Sequence, residues 1–443
     1  MKKKKWLFGL IATLGVVGLS ACGATSSSTT SSSTTNSNSS SGSTEKNKPV
    51  TIEYWHVNAD TQGGKTVNEL VEGYNNSQNK VKVVAKFNPD MYKGLMQNLQ
   101  ASVASNTIPD VVQVGWAFKD YFSGNFKYTD PADLVKEVDP KNANYFKENF
   151  LDNIMNLAKK DNKYVGIPYS ISNPVLYINK DLLKAAGLDE NGPKTWEEVK
   201  EFSKILKEKT NKYGIYIQEP ADSWATQALL ESNGAQFIKD GKAAFASKEG
   251  IAAYQNYQEM VVKDQSALHT TWEQGIQSFI DGNVAMLYTT IAQRNNVQSN
   301  VKFNVTAIKS PTWKGKEAKL PAGGAMLAVT STDKEKRAAT WDFLKYLYSV
   351  ESLAKWTKGT GYVPPRKDVA ESEKGLKQFL EENKMMTPAI EQMNGMVNWA
   401  AFPGSAGLEA EQKLLDMRDK ILSGEDASKI MEQTQKEIND LLK

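Results

Sequence analysis

VTIEYWHVNADTQGGKTVNELVEGYNNSQNKVKVVAKF, residues 50–87, holds two different hydrophobic periods side by side. Val50–Asn58 is a β-branched and aromatic run, TVNELVEGY spaces its apolar side chains as a helix does, and KVKVVAKF alternates again. A second helical pattern at YKGLMQNLQASVA leads to the apolar run DVVQVGW, residues 110–116. The order β-α-β-α-β predicts parallel strands with helices packed on the sheet faces, because parallel neighbours need a crossover. Further strands are predicted at IPYSISNPVLYIN (167–179), YGIYIQ (213–218), VAMLYTT (284–290), VKFNVTAI (301–308) and GGAMLAVT (323–330). TWEEVKEFSKIL opens a helix in which Thr195 and Glu198 have capping-box spacing. LEAEQKLLDMRDKIL and IMEQTQKEINDLL end the chain as helices. The stretch from Pro49 to Lys443 is long enough to favour two cores over one, so two α/β lobes followed by helices are expected.

Upstream of the folded part, Lys2–Lys5 form a positive cluster and Trp6–Leu19 an uncharged, mainly apolar stretch, the plan of a signal peptide over residues 1–21. That stretch is shorter than the roughly 20 residues a helix needs to cross a bilayer. Leu19-Ser20-Ala21-Cys22 resembles a bacterial lipobox, which makes Cys22, the only cysteine, a lipid attachment point. No thiol is then left for disulfides, metal binding or catalysis. Gly23–Lys48 is dominated by Ser, Thr and Asn and reads as a flexible tether, so residues 22–48 form a lipidated linker spanning on the order of 25–30 Å. The expected location is the outer face of the bacterial cytoplasmic membrane, with the two acyl chains of one lipid as anchor.

Composition excludes several function classes. Four of the 54 basic residues lie in Lys2–Lys5, which leaves 50 against 51 acidic residues and a net charge of −1 beyond the cleavage point. Nothing there suggests a nucleic-acid partner. Ala59–Thr66 ends in Gly-Lys-Thr between a strand and a helix, but the leading glycine of a phosphate-cradling loop is Ala59. It reads as a polar loop opening a helix whose free N–H groups could face a ligand. Only His56 and His269 are present, no metal-ligand spacing or nucleophile elbow occurs, and no cofactor, metal or catalytic residue is expected.

Aromatic residues near strand ends are more informative, since ligands of open α/β sheets bind beyond the carboxyl ends of the strands. Trp55 and His56 end the first strand and Trp116 the third. Ser172 and Asn173 lie at the first crossing toward a second lobe, while Trp224, Tyr362 and Trp399 fall in turn-like or weakly periodic segments. Flat rings stack on the apolar face of a pyranose while Ser, Asn and His bond its hydroxyls, so these residues suit a neutral, hydroxyl-rich ligand. Trp341 and Trp356 follow helical spacing and are expected in the core.

Residues 87–116, IPYSISNPVLYINKDLLKAAGL (167–188), Pro193–Trp196, Gly323–Ala325 and the block Thr360-Gly361-Tyr362-Val363-Pro364 resemble the extracellular solute-binding proteins of ABC importers, family 1. The resemblance implies a periplasmic-binding-protein-like type II fold: two hinged α/β lobes of discontinuous segments, with C-terminal helices. It places residues 49–168 and 305–350 in the first lobe and 169–304 and 351–443 in the second. It also implies a monomer that delivers a small ligand to permease subunits, without catalysis. Matching blocks carry over Tyr92, Ser172, Gly324 and Tyr362 as ligand contacts.

Within the family, the order of blocks and the Trp-His pair after the first strand look most like the glycerol-3-phosphate or glycerophosphodiester binders. Two departures point elsewhere. Gly115-Trp116 stands where that subgroup has a Tyr-Glu pair, and MNGMVNWAAFPG lacks its late basic residue. A phosphate calls for an Arg fork or a helix N-terminus, and Arg294 and Arg366 are the candidates to replace it. A sugar or oligosaccharide is therefore the favoured ligand, with a phosphorylated glycerol derivative as the alternative. A lipid-anchored glycan-cleaving enzyme and a surface adhesin are the rival classes.

Overall fold

β-Branched and aromatic side chains keep Val50–His56 (β1) extended. It pairs in parallel with Val81–Phe87 (β2) along its whole length, from Val50 opposite Val81 to His56 opposite Phe87. Gly64–Ser77 (α1) makes the crossover, burying Val67, Leu70, Val71 and Tyr74 on one stripe. Met91–Ala104 (α2) carries the chain to Val111–Gly115 (β3), parallel to β1 on its other side. The computed structural model describes residues 48–60, 63–218, 223–402 and 406–443. The signal peptide, Cys22 and the tether, as read from the sequence, lie outside the described residues.

The apolar run at 167–179 is two strands, not one. Ile167–Ser172 (β4) belongs to the first sheet and Pro174–Asn179 (β5) to the second, with Asn173 alone between them. After the helix Trp196–Thr210 (α3), the second sheet gains Tyr213–Ile217 (β6). The helix Trp224–Ser232 (α4) follows, then Ala267–Leu268 (β7), Val284–Thr290 (β8) and Val305–Lys309 (β9). Leu320–Pro321 (β10) precedes Gly323–Val329 (β11), which returns to the first sheet and inserts antiparallel between β3 and β4. Strand orders are β2-β1-β3-β11-β4 and β7-β6-β8-β5-β9. The expected capping box at α3 is present, Thr195 and Glu198 each accepting the other's backbone N–H at 3.2 Å.

Three segments sit in a different lobe from the one expected. β9 pairs with β5, so Val305–Lys309 belongs to the second sheet and not to the first lobe. β4 lies entirely in the first sheet, so the crossing falls at Asn173 and not between residues 168 and 169. Val350–Thr360 (α6), expected in the second lobe from residue 351, packs beside Lys334–Leu347 (α5) in the first lobe's core, where Leu353 and Trp356 join Ile52, Tyr54 and Leu70. Strand and helix periods are local, whereas sheet membership depends on a partner distant in sequence. Trp341 and Trp356 are core residues, as expected. Met396–Val397 (β12) pairs with β10, and Gly407–Leu422 (α7) and Ala427–Leu441 (α8) close the second lobe, sharing one core with Trp196 and Leu206.

β2 is an edge strand, and two amides from α1 cover its outer side. Asn75 donates Nδ2 to the Val83 carbonyl at 2.9 Å and accepts the Val83 N–H at 2.8 Å. Gln78 does the same to Val81, at 2.8 Å in both directions. Each amide fills the place of a missing strand neighbour, which protects an edge that would otherwise pair with other chains. The double variant Asn75→Ala/Gln78→Ala should lose about 1–3 kcal/mol of unfolding free energy. Light scattering should also show concentration-dependent association that the wild type lacks.

Candidate functional site

β1, β3 and β4 run parallel and end together, at His56, Gly115 and Ser172, while the antiparallel β11 begins among them at Gly323. This edge gathers most of the residues singled out in the sequence. A Cβ on Gly115 would lie 2.5 Å from Cγ of Tyr92, so the glycine that ends β3 makes room for the Tyr92 ring. Gly324 has φ +95°, where only glycine is free of strain, and a Cβ there would collide with the Ser170 carbonyl.

Tyr362 reaches the same edge because the Val363 N–H donates to the Ile171 carbonyl at 2.7 Å. Its ring stacks on Trp356 at 6.0 Å and 5°, and Trp356 stacks on Tyr169 at 4.8 Å and 24°. The Tyr92 and Tyr362 hydroxyls lie close together, and burial pushes both phenols above their usual range, Tyr92 well above it. From the second lobe, the Trp224 indole donates to the Pro321 carbonyl at 2.9 Å, with its ring edge against Gly323. Half-buried Trp399 lies 6.4 Å from Trp224. Tyr92, Ser172, Gly324, Tyr362, Trp224 and Trp399 thus cluster around the ends of β4 and β11.

Other expected contacts are buried behind this cluster or lie apart from it. Trp55 is 4% exposed, gives its indole N–H to Glu53 at 2.9 Å and carries Lys86 over its ring at 4.7 Å. Trp116, also buried, donates to the Ser170 carbonyl at 3.3 Å and packs in the core shared by both sheets. His56 lines a separate pocket of about 310 Å³ at the ends of β1 and β2, with Asn58, Asn68 and Phe87. Its Nδ1 accepts the Asn58 N–H at 3.3 Å, and burial pushes its pKa from 6.5 down to about 4, so the ring is neutral.

Asn173 is fully buried and its polar atoms are committed. Nδ2 donates to the Ala389 carbonyl at 2.8 Å, Oδ1 accepts from Gln392 at 2.7 Å, and the carbonyl accepts the Ile291 N–H at 3.1 Å. Gln392 also donates to the Pro174 carbonyl at 2.7 Å and accepts the Ser310 N–H at 2.9 Å. The single residue between the sheets is therefore tied to the end of β9 and to the segment at 389–392. Gln392 carried no periodic signal in the sequence. Gln113 did, as the polar residue inside VVQVG; its amide accepts the Val57 N–H at 3.0 Å.

Three cations near these elements already hold partners. The buried Arg294 guanidinium donates to Gln298 at 3.1 Å and to the Lys358 carbonyl at 3.5 Å, and lies over Phe379. Arg366 is bound by Asp368, Asn149 and the Tyr348 carbonyl at 2.7–2.9 Å. Lys119 donates to the carbonyls of Leu157 and Lys159 and to Asn398 Oδ1, and burial lowers its pKa. In the Gly-Lys-Thr segment, Gly63 packs against the side chain of Thr360, and α1 has no side-chain cap.

The sequence profile of the bacterial extracellular solute-binding proteins matches residues 69–387. The sn-glycerol-3-phosphate-binding periplasmic protein UgpB of Escherichia coli (strain K12) is 28% identical over 378 residues, spanning 81% of this chain and 83% of that protein. UgpB of Salmonella typhimurium is 28% identical over 332 residues, 71% and 74% of the two chains. Among solved structures, UgpB from Mycobacterium tuberculosis in complex with glycerophosphocholine has a TM-score of 0.77 at 21% identity, covering 88% of this chain and 98% of that one. The cyclic α-maltosyl-1,6-maltose binding protein from Arthrobacter globiformis has a TM-score of 0.75 at 22% identity, with coverages of 89% and 99%.

Replacing Gln392 by Leu strands the Asn173 and Pro174 oxygens and the Ser310 N–H, and should cost about 3 kcal/mol in urea unfolding. For His56 the unfolded chain takes up the proton first as pH falls, because the folded pKa is the lower one. Stability is then lost as pH falls from 6.5 to about 4, by about 2 kcal/mol at pH 5. His56→Gln should remove that part of the slope, read as the difference in unfolding free energy between pH 7 and pH 5.

Proposed function

The chain belongs to the bacterial extracellular solute-binding proteins, and from that membership we propose that it captures a neutral carbohydrate, a sugar or short oligosaccharide. Proteins of this family bind a solute and pass it on without chemistry, and this chain is the substrate-binding component of an ABC importer. The observation that carries the carbohydrate reading is the cluster of Tyr92, Tyr362 and half-buried Trp399, backed by the buried Trp224 and Ser172, beside Gly324. Rings offer flat apolar faces to a pyranose, and the Tyr92 and Tyr362 hydroxyls can bond its hydroxyls. Arg294, Arg366 and Lys119 are engaged with protein groups, which counts against a dedicated phosphate fork.

Ligand held between the lobes gains contacts with both only when they close, so binding shifts the population toward closure. Closure presents the permease with a distinct shape, and reopening releases the solute. The lipid on Cys22 keeps the protein beside that permease. A second reading, glycerol-3-phosphate or a glycerophosphodiester, is favoured by one observation: relatives named for glycerol-3-phosphate match 81% of the chain.

Calorimetric titration of maltose and maltotriose beside glycerol-3-phosphate and glycerophosphocholine separates the readings. Binding of a saccharide is expected, with Trp399→Ala weakening it at least tenfold. Binding confined to the phosphorylated compounds would overturn the carbohydrate reading in favour of the second one.

A further inference from the structure

Trp399 sits where regular structure gives little support. The two-residue strand β12 ends at Val397, and α7 does not begin until Gly407. An indole on such a segment would ordinarily swing, and a ligand would have to order it on binding. The segment is instead held by one side chain from α4. Gln227, 1% exposed, donates Nε2 to the Asn398 carbonyl at 2.9 Å and accepts the Ala400 N–H on Oε1 at 2.9 Å. The two bonds grip the backbone on either side of Trp399, as a neighbouring strand would.

The orientation of that amide is over-determined. Its Nε2 also donates to Glu231 Oε2 at 3.0 Å, while Glu231 Oε1 accepts the Phe237 N–H at 3.2 Å. Flipping the amide would turn its oxygen toward a carbonyl and a carboxylate, and its N–H groups toward an N–H. α4 therefore supplies both Trp224, at its first residue, and the clamp that sets Trp399 6.4 Å away. From the first lobe, Lys119 reaches the Asn398 side chain at 3.2 Å, so the clamped segment also meets the opposite lobe.

We propose that Gln227 is a positioning residue for ligand capture, which holds the Trp399 indole in the cleft wall before ligand arrives. The proposal rests on the reading that Trp399 faces the ligand. It adds that affinity depends on a buried residue that does not touch the solute. An ordered ring loses no further freedom on binding, so loosening the clamp weakens capture even though every contacting side chain is intact.

Fluorine NMR of the full chain labelled with 5-fluorotryptophan tests the clamp without any ligand. The Trp399 resonance is identified by its loss in Trp399→Phe. In Gln227→Met and in Gln227→Glu, which keeps the shape but not the donor, that line should at least double in width or split while the remaining lines hold and melting stays cooperative. An unchanged Trp399 line in both variants would overturn the proposal. Titration with maltotriose adds a second reading: Gln227→Met and Trp399→Ala should each weaken binding at least tenfold, and the double variant no more than the stronger single one. Fully additive losses would also overturn it. If maltotriose does not bind the wild type, the titration is repeated with whichever compound of the calorimetric set binds, and the fluorine spectra decide independently of any ligand whether Gln227 holds Trp399.

Discussion

A single residue separates the two sheets where the chain first crosses, and the rest of the architecture depends on how that residue is held. β4 ends at Ser172 and β5 begins at Pro174, so there is no linker to absorb a poorly defined angle. The angle is set by hydrogen bonds to Asn173 from Gln392 and Ile291 and by its own bond to Ala389. Buried amides with every group satisfied are costly to disturb, which makes them suited to define a pivot. A hinge of this kind can turn through small changes at a few backbone angles while both sheets stay rigid.

Side-chain amides recur wherever the backbone lacks a strand neighbour. Asn75 and Gln78 cover the outer edge of β2, Gln392 joins the crossing to the end of β9, and Gln227 brackets Trp399. The amide group carries one donor face and one acceptor face at nearly the spacing of a peptide unit, so it can stand in for one. In this protein that substitution serves the edge of β2, the crossing between the two sheets and the segment that carries Trp399.

The site itself is built by convergence of strand ends rather than by any one motif. Gly115 leaves space for Tyr92, Gly324 takes a backbone angle closed to other residues, and Tyr362 arrives through a bond from Val363 to Ile171. The resulting wall is aromatic and largely uncharged. Buried His56 is kept neutral, and the cations nearby are spent on carbonyls, amides and a carboxylate.

The periods in residues 50–116 were enough to place β1, α1, β2, α2 and β3, because each element's hydrophobic spacing is a property of its own residues. The capping box at Thr195 and the core positions of Trp341 and Trp356 were legible for the same reason. Which sheet a strand joins was not. Val305–Lys309 reads as a strand in isolation, yet only its pairing with β5 puts it in the second lobe. Asn173, Trp55 and Trp116 stood at the right strand ends, but packing turned the first into a pivot and buried the two rings. Sequence alone determined the elements and the supply of aromatic and hydroxyl groups at their ends. Tertiary structure decided which of those groups face one another, because burial and hydrogen-bond partners are set by residues far away along the chain.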